Sequence, residues 1–150
     1  MAVVNKLFFK RGLNLLNSYF QLKRYGPILQ AYGKAWEAGD IEAILDFFPQ
    51  KFEYVDPAVP NGITNKEEMR LYLQKVYKKF PRHTWTDQAK VYVCPKPGKF
   101  AIFYNFEIAG SSKTLSGTGM ERIEFEGNKL VMDCVHLCVR DIEFANLFGF

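Results

Sequence analysis

Few residues in this chain have spacings that commit them to a chemistry. Cys134, His136 and Cys138 alternate along one stretch, which would place three metal-ligating side chains on one face of a strand. The ladder has no fourth ligand and none of the turn geometry of zinc spacings, so no metal is expected. Gly117-Thr118-Gly119 has two glycines but neither the third nor a following helix, and so is not a dinucleotide loop. Lys75, Lys78, Lys79 and Arg82 read as the solvated side of a helix. His83 reads as a residue at the start of a strand. Asp56 stands directly before Pro57, a common setting for an aspartate whose side chain closes a turn. What remains is carboxylates and phenols, whose chemistry depends on the elements that hold them.

Those elements follow from the spacing of apolar residues. Residues 3–22 form an acid-free amphipathic helix with Leu7, Leu15, Phe20 and Leu22 among its large apolar positions. Gly26-Pro27 then marks a helix start. That helix runs to about Ala38, with Ile28, Ala31, Tyr32, Ala35 and Trp36 on one face, and Gly39 and Asp40 end it and cap the next, Ile41 to Phe48. Residues 52–56 alternate as a short strand, followed by a loop through Pro57, Pro60, Asn61 and Gly62. Thr64 or Asn65 caps a third helix, buried at Met69, Leu73, Val76, Tyr77 and Phe80, with Thr64 to Glu67 at capping-box spacing. Beyond His83 the period becomes two, giving strands over Trp85–Cys94, Lys99–Ala109, Thr114–Glu126 and Lys129–Val139 joined by tight turns. This order predicts an α+β fold, a curved antiparallel sheet closed into a cone by helices on one face.

Composition sets the outer limits. The chain has 150 residues, 48% hydrophobic and 24% charged, enough for one core and too little for two domains of ordinary size. Six bases and no acid fall within residues 1–36, so the rest of the chain, with 14 bases against 16 acids, carries a charge of −2 and lacks the field that nucleic acid requires. Three cysteines are odd and sparse, which predicts reduced thiols and a cytoplasmic location, with organelle targeting by the basic N-terminus left open. No run of residues is long and apolar enough to span a membrane. Residues 1–25 are assigned to the basic helix, with packing on the domain or a partner, membrane-surface contact and transit as its open roles. Residues 26–150 are assigned to a single domain.

The strings Ala31-Tyr32-Gly33-Lys34-Ala35-Trp36-Glu37-Ala38-Gly39-Asp40 and Phe52-Glu53-Tyr54-Val55-Asp56-Pro57 resemble the nuclear transport factor 2-like superfamily, in particular its ketosteroid isomerase and SnoaL-like polyketide cyclase branch. The resemblance covers about residues 26–140. It implies a cone-shaped barrel on three helices, with the N-terminal helix extra; the outer sheet face, with Cys134, His136 and Cys138 beside Met120 and Arg122, would be unusually apolar in water, so a homodimer through that face is expected. It also implies a catalytic trio of Tyr32, Asp56 and Glu121, with Glu121 standing where aspartate is usual. Proton transfer beside a carbonyl needs a carboxylate base in a water-poor pocket and donors where the enolate oxygen forms. Asp56 is assigned the base, with Tyr32 and a protonated Glu121 as donors, a division of labour for which ketosteroid isomerase is itself the worked example. The resemblance further implies a pocket lined by Trp36, Tyr54, Phe103, Ile123, Asp133 and Val135. The expected activity is that of a cofactor-free isomerase, cyclase or lyase acting on a hydrophobic carbonyl compound. The alternative is a non-catalytic ligand-binding or dimerisation module of the same fold.

Overall fold

The computed structural model describes residues 2–85, 89–111 and 113–139, with side chains from residue 16 to residue 137 within that span. Three helices, α1 (Ala2–Ala38), α2 (Ile41–Phe47) and α3 (Lys66–Lys79), pack on one seven-stranded curved sheet. Its strands are β1 (Glu53–Asp56), β2 (Val59–Ile63), β3 (Arg82–Trp85), β4 (Lys90–Val93), β5 (Lys99–Ala109), β6 (Thr114–Glu126) and β7 (Lys129–Val139). They lie in the order β2-β1-β7-β6-β5-β3, with β4 pairing β5 beside β3. Only β1 and β7 run parallel; the other pairs are antiparallel. The expected α+β cone is the architecture found.

Three local differences from the sequence reading have physical causes. Gly26-Pro27 does not start a helix but lies inside α1. Proline there removes one helical N–H and disfavours the turn before it, and contacts from that turn to the sheet compensate. The Gln21 side chain accepts from Gly98 N at 2.9 Å, and Tyr25 stacks on Phe125 at 4.8 Å and meets Phe100 edge-on at 5.5 Å. Arg24 donates to Gly127 O and Asn128 Oδ1 at 3.4 Å. Gly98 makes this junction possible: its φ is +75°, and a Cβ there would lie 2.8 Å from Phe125 O.

The second difference is β2, formed within the expected loop, where Tyr54 pairs Ile63 and Asp56 pairs Val59. The turn is tight because Asp56 Oδ1 accepts from Ala58 N at 2.7 Å and Val59 N at 3.0 Å. The third is the division of Trp85–Cys94 into β3 and β4. Trp85 pairs Phe106 while Lys90 pairs Phe103, so the register against β5 shifts by two residues between them.

The remaining caps follow the chemistry of short polar side chains. Asp40 accepts from Ala43 N at 3.0 Å, and Asn65, of the two residues expected, caps α3 by accepting from Glu68 N at 2.9 Å. Ile44, Leu45, Phe48, Met69, Leu73, Phe100, Ile123 and Leu130 form the sealed core between helices and sheet. No helix among the described residues is long and apolar enough to cross a membrane.

Because Tyr25 joins α1 to two strands, Tyr25→Ala is expected to cost about 3 kcal/mol, the usual loss for a buried aromatic. Urea unfolding checks this; unchanged stability would mean that α1 does not depend on the junction.

Candidate active site

Between α1, α3 and the concave side of the sheet lies a cavity of about 460 Å³. Its wall is aromatic: Tyr32 and Trp36 come from α1, Tyr54 from β1, Tyr72 from α3, His83 and Trp85 from β3, and Tyr104 and Phe106 from β5. Three carboxyl groups, Asp56, Glu121 and Asp133, also line it, and no lysine or arginine does so among the described residues. Uncompensated carboxyls in an apolar wall are costly to ionise, and that cost governs the chemistry available.

Strand periodicity puts Glu121 and Asp133 on the same face. Glu121 pairs Val135 and Ile123 pairs Asp133, so the two acids lie diagonally across neighbouring strands, both turned inward. Tyr104 OH donates to Glu121 Oε1 at 3.0 Å and Tyr32 OH to Asp133 Oδ2 at 2.7 Å. Among the described residues Asp133 Oδ1 has no hydrogen-bond partner. Burial pushes Glu121 up to about 7 against the pull of the Tyr104 hydroxyl. Burial, and then the charge of Glu121, hold Asp133 well above the usual carboxylate range, although Tyr32 pulls it down. The pair therefore consists of two carboxyl groups that hold their protons more tightly than carboxyls in water, Glu121 up to about 7 and Asp133 well above its ordinary value. Burial and the neighbouring carboxylates raise Tyr32 and Tyr104, so both phenols stay protonated.

Asp56 is placed differently. Its Oδ2 accepts from Tyr54 OH at 2.8 Å and from Tyr72 OH, while its Oδ1 closes the turn into β2 through Ala58 N and Val59 N. Four donors occupy the two oxygens, and taking up a substrate proton would strip buried phenols and amides of their acceptor. This is the geometry of an anchor. The residue expected as the base thus lines the cavity with both carboxylate oxygens already engaged.

The model of the SnoaL-like domain matches residues 29–132, more than half of the chain. The chain belongs to the SnoaL-like domain family. A comparison with curated proteins finds no match. Among solved structures, this SnoaL-like domain is similar to a candidate polyketide cyclase from Xanthomonas campestris, with 15% identity, TM-score 0.67, and 77% of this chain and 90% of that one covered. It is also similar to a protein of ketosteroid isomerase-like fold from Catenulispora acidiphila in complex with trimethylamine, with 16% identity, TM-score 0.64, and 73% and 83% covered. A third similar structure is a nuclear transport factor 2-like protein from Anabaena variabilis, with 12% identity, TM-score 0.65, and 83% and 89% covered. Identities this low speak for the fold.

Of the residues singled out from sequence, the SnoaL-like cavity brings together Tyr32, Trp36, Tyr54, Asp56, Glu121, Ile123, Asp133 and Val135. Phe103 is a correction. It is 43% exposed on the other side of the sheet, edge-on to Tyr92 at 5.3 Å, because Ile102 and Tyr104 take the inward positions on either side of it. His136 is exposed on that outer side too, 3.4 Å from Cys134 Sγ; the Cys138 side chain lies outside the described residues. Among the described residues no three ligating side chains gather as a metal site.

Sequence reasoning missed Tyr72, His83, Trp85 and Tyr104. Tyr72 stands three residues after Met69 and four before Val76, on the apolar stripe of α3, so helical spacing contained the signal. The position of Tyr104 depends on register: it pairs Gly119, where a Cβ would come within 2.4 Å of its ring. Gly119 thus leaves the space in which Tyr104 lies while its hydroxyl reaches Glu121.

A raised carboxyl pKa predicts a pH-dependent penalty. Between 4.5 and about 7 the folded state holds a proton on Glu121 that the unfolded chain has released, so stability from this group falls as pH rises through that window. Glu121→Gln removes the penalty. The variant is expected to match the parent at about pH 4.5 and to exceed it at pH 8 by on the order of 3 kcal/mol. Urea unfolding at the two pH values checks this; a variant no more stable at pH 8 would contradict the raised pKa.

Proposed function

We propose that this SnoaL-like domain is a cofactor-free isomerase or cyclase that moves a proton next to the carbonyl of a hydrophobic small molecule, with Glu121 as base and Asp133 as acid. The observation that carries the reading is the carboxyl pair itself: two inward acids on adjacent strands of an apolar cavity that no lysine or arginine lines among the described residues, one poised near neutrality and the other held well above the usual carboxylate range. Glu121 takes the proton from the carbon beside the carbonyl, and the C–H electrons move into the enolate. Asp133 donates to the oxygen on which negative charge develops, and Tyr32 holds Asp133 in place. Returning the proton to another carbon completes an isomerisation; attack by the enolate carbon on an internal carbonyl, whose oxygen then takes up the proton that Glu121 removed, completes a cyclisation. Family membership and the polyketide cyclase and ketosteroid isomerase-like neighbours support the same reaction class. The roles differ from those suggested by sequence resemblance alone. Here Asp56 ties β1, β2 and α3 together through Tyr54, Tyr72 and the turn amides.

Deuterium uptake beside the carbonyl, followed by mass spectrometry over a panel of cyclic enones and β-keto compounds, tests the proposal. Glu121→Gln and Asp133→Asn are expected to reduce exchange by about 100-fold or more while ligand binding changes little. Asp56→Asn is expected to lower stability and to leave exchange per folded molecule within about tenfold of the parent. The pH profile of kcat/KM should rise through about 7 as Glu121 ionises and fall at higher pH as Asp133 loses its proton. Tight binding across the panel with no Glu121-dependent exchange would favour a non-catalytic binding module instead.

A further inference from the structure

The cavity opens beside α1. Of the residues that line it, Leu22 and Gln30 of α1, Ala89, and Val91 of β4 are also exposed, so its mouth lies between one side of this helix and the start of β4. Residues three and four apart on a helix are neighbours, which makes Tyr19, Leu22, Gly26, Gln30 and Gly33 one continuous row. Every member of the row except Tyr19 lines the cavity. A Cβ on Gly26 or Gly33 would meet nothing within 4 Å, so the row borders open space. It leads from the cavity wall out to Tyr19, which is 60% exposed and edge-on to Phe20 at 5.7 Å.

Tyr19 belongs to an apolar patch just outside the mouth. Leu16 is 57% and Phe20 63% exposed, turned away from Gln21 and Tyr25, the buried residues that fix this part of α1 to the sheet. Large apolar side chains displayed together on a fixed helix mark a contact surface. Charge decides what fits it. Residues 1–36 carry Lys6, Lys10, Arg11, Lys23, Arg24 and Lys34 and no acid. Lys23 is exposed, four positions after Tyr19 and three after Phe20, and so shares their face. A second copy of the chain is a poor fit, because a twofold contact would set this basic, acid-free helix against itself. A bilayer surface with anionic headgroups fits both features, taking the rings into the headgroup and acyl boundary and the lysines onto the phosphates. No helix among the described residues is apolar enough to cross a membrane, so α1 would lie on the surface.

We infer that α1 docks on an anionic membrane surface through Leu16, Tyr19 and Phe20, with the cavity mouth at the edge of the contact, and that the ligand enters the cavity from the bilayer. The route of entry rests on reading the cavity as a site for a hydrophobic compound; the docking does not.

Vesicle flotation tests the docking. The intact chain is expected to bind phosphatidylcholine vesicles that contain about 30% phosphatidylserine at least about tenfold more tightly than pure phosphatidylcholine vesicles, a preference that about 0.5 M salt should largely remove. Leu16→Asp combined with Phe20→Asp, confirmed folded by thermal melt, should weaken binding by about tenfold or more. Lys23→Glu should weaken binding to the anionic vesicles alone, by about fivefold or more. Tryptophan fluorescence tests the route, since the two tryptophans of the chain, Trp36 and Trp85, both line the cavity. A dodecyl-substituted cyclohexenone dissolved in the vesicles should quench them about tenfold faster from anionic than from pure phosphatidylcholine vesicles, and the double variant should lose that difference. Equal binding to both vesicle types, binding unchanged in the double variant, or a dimer in the absence of lipid that the double variant dissociates would overturn the docking. Docking with equal quenching rates from both vesicle types would overturn the route. Docking and transfer without Glu121-dependent proton exchange would keep this inference and remove the catalytic reading; exchange without docking would do the reverse.

Discussion

Two carboxyl groups turned into one apolar space, with no lysine or arginine among the described residues to balance them, are the constraint on which the rest of the site depends. An ionised carboxylate in such a place is expensive, and a second beside it more so. Glu121 and Asp133 meet that cost by holding their protons more tightly than carboxyls in water, Glu121 up to about 7 and Asp133 well above its ordinary value. The tyrosines that reach them soften the penalty without cancelling it, because a phenol donates one hydrogen bond and brings no charge. An arginine in their place would hold both acids ionised and leave neither a useful base nor a donor.

The fold supplies that environment through a few close approaches. Gly119 leaves room for the Tyr104 ring, and with it the hydroxyl on Glu121. Gly98 lets the turn between β4 and β5 meet Gln21 and Phe125, which fixes the middle of α1 against the sheet. Three to four helical turns beyond Gln21, the same helix delivers Tyr32 to Asp133 and places Trp36 against Tyr54. Asp56 closes the other side by binding β1, the turn into β2 and Tyr72 of α3. The dry wall thus depends on contacts some distance from the acids.

Much of this was legible in the sequence where periodicity decides the outcome. Strand alternation put Glu121 with Ile123 and Asp133 with Val135 on common faces, which the family resemblance turned toward the pocket, and the three-and-four spacing of α1 put Tyr32 and Trp36 on one face. What failed needed information that no local pattern holds. Pro27 reads as a helix start until the contacts of Gln21, Arg24 and Tyr25 are known. Phe103 was read as inward on the wrong parity of a long alternating strand whose other large residues do face the core. Asp56-Pro57 carries the same letters whether the aspartate is open to a substrate or saturated by four donors, and only the hydroxyls of Tyr54 and Tyr72 distinguish the two. His83 and Trp85 became visible once β3 separated from β4.

The division of labour between Glu121 and Asp133 is most directly tested by their protonation states. Carbon-detected NMR of the side-chain carboxyls, assigned through Glu121→Gln and Asp133→Asn, follows each group from acid to alkaline pH. The account predicts a Glu121 resonance that titrates near pH 7 and an Asp133 resonance that still reports the protonated acid there. Both groups fully ionised by about pH 5, as for carboxylates in water, would contradict it.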